Sequence, residues 1–269
     1  MDLNTGDFKL LMNTISKQSG IDLGGYRESY LQRRIDLRMK IVNVSDYSEY
    51  KRIIEEDPEE FQELLTHLTV NVTEFMRDKT PFVYFQKNLL PNVMERKAHA
   101  NSKLVRFWSA GCSYGEEPHS ISICAKEFFP EDWNVSIYAT DIDDNCLKSA
   151  SEGVYGEKQL QNVDEKLVEK YFDPFEGNFR KKKLQNLTIR FRKHDLTGDS
   201  PVSRHFDVVF CRNVMIYFTE EQKIKMFTNF HESLSNGGYL IIGKSETMPP
   251  EVRDLFTPVS LRDKVYAKA

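Results

Sequence analysis

The sequence predicts an α/β protein: an open, Rossmann-like, mostly parallel sheet with helices on both faces, preceded by a small all-α N-terminal domain. Two patterns and one turn predict it. Phe8, Leu11, Met12 and Ile15, then Phe61, Leu64, Leu65 and Leu68, recur at helical spacing, and no strand signal occurs across residues 1–80. After Pro91 and the polar stretch 95–103, short apolar runs alternate with helical segments, as in a sheet covered on both faces. The turn is Ser109-Ala110-Gly111-Cys112-Ser113-Tyr114-Gly115-Glu116-Glu117-Pro118, which follows the apolar run Leu104–Trp108. It opens a helical pattern with Ile121, Cys124, Ala125 and Phe128 on one face.

Strands are expected at Leu104–Ala110, Val135–Thr140, Leu187–Arg192, Phe206–Cys211, Tyr239–Gly243 and Val265–Ala267. Residues 160–172 read as a helix, and so do residues 220–234, where Thr219 and Gln222 stand at capping-box spacing. Asn178–Leu184 and Leu187–Arg192 are spaced for a hairpin through Gln185-Asn186, a small β insertion at about 173–194. This gives a helical domain over 1–80 and a sheet domain over 81–269. Residues 177–194 carry seven Lys or Arg and no acid. Such a run fits a solvated hairpin whose lysines blunt an exposed edge, or a docking surface for an acidic partner.

Composition narrows the functional classes. A chain of 269 residues with 40% apolar content holds one large or two small domains with a real core. A net charge of −4 excludes a general nucleic-acid footprint. The polar N-terminus, Met1–Asp7, carries no secretory signal, and no apolar run approaches the roughly 18 residues that span a bilayer. Cys112, Cys124, Cys146 and Cys211 form no Cys-x-x-Cys pair and have no His at zinc spacing. The expectation is a cytoplasmic protein with no metal and no membrane insertion.

A strand, a small-residue turn and a helix N-terminus let a nucleotide-like ligand approach bare backbone. Glu116 and Glu117 at that helix start would repel a phosphate. They suit hydroxyls and an ammonium or sulfonium, which favours S-adenosylmethionine (SAM) over NAD or ATP. At the next strand end, Ala139-Thr140-Asp141-Ile142-Asp143 offers Asp141 to a ribose and Asp143 as a helix cap. That spacing alone does not separate a dehydrogenase from a methyltransferase. Polar residues follow the buried strand Phe206–Cys211 in Arg212-Asn213-Val214-Met215-Ile216-Tyr217-Phe218. Asn71-Val72-Thr73-Glu74-Phe75-Met76-Arg77 stands at the junction of the two regions, where Thr73 could also cap a helix.

Taken in order, Asn71–Arg77, Trp108–Pro118, Ala139–Asp143 and Phe210–Phe218 resemble the CheR family, the chemotaxis receptor glutamate methyltransferases. The resemblance runs from about Phe8 to Tyr266. It implies a SAM-dependent methyltransferase sheet domain with a small β insertion behind a helical domain that recognises receptors. It implies that Asn71, Thr73 and Arg77 reach SAM from the N-terminal side, that Glu117 holds its amino-acid end and Asp141 its ribose. Asp195 and Leu196 would flank the adenine, and Cys211, Arg212 and Asn213 would line the methionine portion. Arg77 and Tyr217 would be the catalytic pair beside the transferring methyl, and S-adenosylhomocysteine the product. No lone Gly-x-Gly-x-x-Gly supports a dehydrogenase, and no Pro-Pro-aromatic signature supports a base methyltransferase.

Substrate recognition has its own signal. On a projection of 100° per residue, Arg27, Arg34 and Arg38 fall within about 40° of one another, a basic stripe that complements glutamates on a receptor's coiled coil. Pairing with Glu28 and Asp36 is the alternative. The approach to the hairpin, Asp173-Pro174-Phe175-Glu176-Gly177, is short beside family members that grip a receptor's C-terminal peptide. Direct recognition of the methylation helices by a monomer is therefore expected.

Overall fold

The computed structural model describes residues 3–69, 71–198 and 200–269. The chain divides into two compact units, Met1–Asn71 with Tyr217–Gln222, and Val72–Ile216 with Lys223–Ala269.

The first unit is helical: α1 (Leu3–Ser19), α2 (Glu28–Ile41), α3 (Tyr47–Glu56) and α4 (Pro58–Leu68). Aspartates start two of them. Asp46 accepts from the Glu49 amide at 2.9 Å. Asp57 accepts from the amides of Glu59 (2.9 Å) and Glu60 (3.2 Å), with Pro58 at the first helical position. Phe8, Leu11 and Ile15 meet Leu31, Ile35, Tyr50, Ile54, Leu64 and Leu68 in one core. A polar knot lies inside it. Arg38 makes a bidentate pair with Glu60 (2.8 and 2.6 Å), and the Tyr50 hydroxyl donates to Glu60 at 2.7 Å. The short return segment docks through Thr219 N–H to Gly25 C=O (3.0 Å) and a Tyr26–Phe218 ring contact of 4.6 Å.

The second unit begins with α5 (Thr80–Tyr84) and α6 (Leu90–His99), joined by one π turn over Phe85–Leu89. There follow β1 (Leu104–Ala110), α7 (Glu116–Phe128), β2 (Asn134–Asp141), α8 (Asp144–Glu152), β3 (Val154–Tyr155), α9 (Glu157–Leu160) and α10 (Glu165–Tyr171). Then come β4 (Phe172–Phe175), β5 (Asn178–Lys181), β6 (Leu187–Lys193), β7 (Phe206–Cys211), α11 (Glu220–Ser233), β8 (Leu234–Ile242), β9 (Phe256–Ser260) and β10 (Val265–Lys268). The main sheet has seven strands in the order β6-β2-β1-β7-β8-β10-β9. Its first five strands are parallel, β10 runs against them, and the edge strand β9, antiparallel to β10, runs with them. Phe107, Val135, Ile137, Val208, Phe210 and Ile241 line its core. The chain winds outward from β1 through β2 to β6, then returns to β7 on the other side. The carboxyl ends of β1 and β7 therefore form the switch point where such sheets bind ligands.

The expected hairpin does not form. Leu187–Lys193 pairs in parallel with β2, from Val135 opposite Leu187 to Asp141 opposite Lys193. Ile189 and Phe191 pack on Ala139 and Leu147, burial that a two-stranded hairpin would forfeit. Asn178–Lys181 belongs to a separate three-stranded sheet in the order β3-β5-β4. The β insertion expected at about 173–194 is thus split between two sheets. The helix expected over 160–172 is also split, because Asp164 caps α10 by accepting from the Lys166 amide at 2.9 Å.

Candidate functional site

The turn after β1 is held shut by backbone: the amides of Gly111 and Cys112 donate to the Thr140 carbonyl at 2.8 and 2.9 Å. Gly111 lies at φ = +78°, and a Cβ there would come within 2.5 Å of Val214 Cγ2. At Gly115, φ = +93°, a Cβ would sit 2.8 Å from Ala150 Cβ. Both glycines are required by left-handed backbone and close approach. Inside this cradle the Ser113 hydroxyl is buried without a partner.

Two consecutive glutamates follow, and they part company. Glu117 accepts from the Ser109 hydroxyl at 2.7 Å and lies 3.5 Å from Arg212 Nη1. Burial pushes its carboxyl above the usual range, against the pull of Arg212 and Ser109. Glu116, in the first turn of the same helix, is only 1% exposed. It accepts from Gln159 Nε2 at 2.7 Å, and burial raises its pKa too. Gln159 also accepts from the Gly156 amide (2.9 Å), and its bond to Glu116 spans 43 residues, which no local spacing signals.

Arg212, expected to serve through its backbone, brings its side chain to the centre. The guanidinium is 2% exposed. It donates to the Arg77 carbonyl (2.8 Å) and to Asp78 Oδ2 (2.7 Å), and it lies 5.3 Å from the Phe82 ring centroid. One buried cation therefore faces two carboxylates, Asp78 and Glu117, and holds the Arg77 turn. Asn213 follows at φ = +61° with its Oδ1 buried and unpartnered. Burial raises the pKa of the adjacent Cys211 thiol far above its ordinary value.

Residues 71–79 are a turn, not the start of a helix capped by Thr73. Met76, Asp78 and Lys79 have φ of +51°, +65° and +42°. Such left-handed residues cost about 1–2 kcal/mol each and persist where contacts impose them. Here the Met76 amide donates to Ser120 Oγ at 2.9 Å, and Arg212 holds the next two residues. Arg77 is half-buried, and its Nη1 donates to the Val72 carbonyl at 2.9 Å. Thr73 is half-buried in the same stretch.

Asp141 ends β2 and is bonded through both oxygens, by the Ser113 amide (2.7 Å) and the Asp143 amide (3.1 Å). Burial raises its pKa while those amides lower it. Asp143 caps α8 as expected, accepting from Asn145 (2.9 Å) and Cys146 (3.3 Å). Beyond β6, Asp195 accepts from the amide and hydroxyl of Thr197 (2.8 and 2.6 Å), and Leu196 is half-buried.

The remaining candidates lie in the helical unit. Asn71 donates to Thr69 Oγ1 at 3.0 Å. Tyr217 packs against Tyr30 in a tilted pair at 4.7 Å between centroids, and the Arg34 guanidinium lies 5.9 Å from the same Tyr30 ring. Arg34 Nε is buried without a partner. The three arginines do not share one free face. Arg38 is committed to Glu60, and Arg27 donates to the Phe218 carbonyl (3.1 Å) and pairs with Glu220 (3.5 Å).

The sheet unit thus offers a glycine cradle, an unpartnered buried hydroxyl, and acids at the ends of the first two strands. This set fits a nucleoside ligand with a cationic amino-acid end, as SAM has, and defines a doubly wound nucleoside-cofactor enzyme. Two family models match: CheR methyltransferase, all-alpha domain, over residues 6–69, and CheR methyltransferase, SAM binding domain, over residues 71–265. The chain belongs to the CheR methyltransferase family and is a SAM-dependent methyltransferase. A chemotaxis protein methyltransferase of Borreliella burgdorferi is 31% identical over 255 residues, covering 92% of this chain and 90% of its own. One of Listeria monocytogenes is 32% identical over 240 residues, 89% of each chain. Chemotaxis protein methyltransferase 1 of Pseudomonas aeruginosa is 30% identical over 256 residues, 92% of each. Among the described residues, no helix is long and apolar enough to cross a membrane.

Proposed function

We propose that this enzyme methylates glutamate side chains on the cytoplasmic helical coiled coil of chemotaxis receptors, forming methyl esters for sensory adaptation. SAM is the donor and S-adenosylhomocysteine the product. The observation that carries the reading is the Glu117–Arg212–Asp78 array, built on a buried guanidinium, with Arg77 on the turn it holds. It combines a carboxylate for a cationic cofactor with a turn that carries Arg77 for an anionic acceptor.

Bound SAM supplies a methyl group already activated by the sulfonium. The residues of the chain bind and orient. Glu117 holds the ammonium, Asp141 the ribose hydroxyls, and Asp195 with Leu196 the adenine. Backbone of Cys211 and Arg212, with Asn213, lines the methionine portion, and Asn71 and Thr73 contribute polar contacts. Arg77 draws in the acceptor carboxylate, and Tyr217 hydrogen-bonds it. A glutamate with pKa about 4.3 is ionised at neutral pH, so its oxygen attacks without a general base. Placement is then the protein's main contribution, worth up to about 7–11 kcal/mol in favourable cases.

Receptor glutamates are acidic, and this chain carries a net −4. Local basic groups must therefore guide the encounter. Arg34, sharing Tyr30 with Tyr217, is placed to do so, with Arg27 beside it; Arg38 supports α2 from within. The working form is a cytoplasmic monomer with no metal.

The test is transfer from methyl-labelled SAM to receptor cytoplasmic domains, followed by alkali. The reading expects label released as methanol. Label that survives base, or none transferred, contradicts it.

A further inference from the structure

We propose that Glu246 is a positioning residue for the cofactor loop, fixing the backbone that leaves β7 against the end of β8. Its side chain is on neither strand and belongs to no motif of the sequence reading. It is 3% exposed. Oε1 accepts from the amides of Val214 (2.9 Å) and Met215 (2.7 Å), and Oε2 accepts from the amide of Gly243 (2.6 Å). Three amide donors converging on one carboxylate make a small anion nest. Such charge-assisted bonds are short and about twice as strong as neutral ones.

The surroundings specify both glutamate and glycine. At Gly243 a Cβ would lie 2.7 Å from the Asn213 amide nitrogen and 2.7 Å from Glu246 Oε2. Only a glycine lets the two strand ends approach this closely. The Glu246 turn is itself anchored: its amide donates to the Gly243 carbonyl (3.0 Å), and Lys264 Nζ donates to its carbonyl (3.0 Å). A glutamine would keep Oε1 for two amides but set its own N–H group against that of Gly243. The consequence falls on Asn213, which directly precedes the tethered Val214 and has φ of +61° and an unpartnered Oδ1. The inference rests on the reading that Cys211–Asn213 line the methionine end of SAM.

The experiment compares full-length wild type with Glu246→Gln by SAM calorimetry, steady-state kinetics on receptor domains, and amide exchange of residues 211–216 without ligand. The expected result is a rise of about tenfold or more in both Kd and KM for SAM, with kcat at saturating SAM within about threefold. Exchange at Val214 and Met215 should accelerate in the unliganded protein. A merely structural role would lower kcat per mole of protein and leave KM unchanged, which overturns the proposal. Gly243→Ala, which crowds the same nest, should reproduce the signature and carries the test if Glu246→Gln does not fold. If wild type binds no SAM, the underlying reading falls and this one with it. If wild type binds and both variants bind within about twofold of it, only the positioning role falls.

Discussion

At Glu117 burial and a neighbouring cation pull in opposite directions, and burial wins. A carboxyl whose folded pKa lies above its ordinary 4.5 subtracts stability once ionised. The cost is absent below the ordinary value, grows as pH rises from there towards the raised one, and is full above it. Glu117→Gln should therefore stabilise the unliganded protein at neutral pH, read as a higher urea midpoint. The same change should weaken SAM binding about 10- to 100-fold by calorimetry, since charged hydrogen bonds contribute about 1.5–3 kcal/mol. Wild-type affinity should fall as acid protonates Glu117, and the variant should lack that step. Arg77 is a different case, because its assigned partner is the acceptor. Arg77→Ala should cut single-turnover methyl transfer at least tenfold more than it cuts SAM affinity; equal losses would make it a cofactor contact only. Asp143 was legible as a cap because capping acts within three residues. The burial of Glu116 was not, because Gln159 lies 43 positions away.

Elements show the same division between local and distant causes. Strands β1 and β7 were legible as mostly apolar runs, each broken by one charged residue, Arg106 and Asp207, and β6 was legible as a strand. Its pairing was not, because seven Lys or Arg in residues 177–194 resemble a solvated hairpin as much as a sheet edge. Ile189 and Phe191 decide the matter by packing on Ala139 of β2 and Leu147 of α8, while Leu187 packs on the main core. Strand β9 escaped notice because Pro258 interrupts it, a residue tolerated only at an edge such as this one. Helix α2 was legible, yet its arginine stripe was not what projection implied. Arg38 reaches Glu60 on α4, so Arg38→Ala leaves a buried carboxylate beside Tyr50. We expect a loss of about 3 kcal/mol by urea unfolding. Arg34→Glu should leave the midpoint close to wild type while lowering receptor methylation several-fold and flattening its salt dependence. Unchanged salt dependence would remove Arg34 from the encounter.

On the proposed reading, catalysis by the molecule as a whole comes down to placement. The switch point between β1 and β7 sets two strand ends side by side, and the glycine cradle, Glu117 and Arg212 follow from them. The turn at Gly111 and the strand end at Asp141 were legible as positions, while the part of the Arg212 side chain was not. Legibility was also low for the side chains that hold those ends together, Asp78, Gln159 and Glu246, because their partners meet only in the folded chain. If the acceptor glutamate arrives ionised and the enzyme only orients it, no group of intermediate pKa should limit the chemical step. The direct measurement is the single-turnover rate of methyl transfer to a receptor domain, at saturating SAM, from about pH 6 to 9. The account predicts a rate flat within about twofold across that range. A rise of tenfold per pH unit up to a plateau near pH 7 would reveal a general base and contradict it.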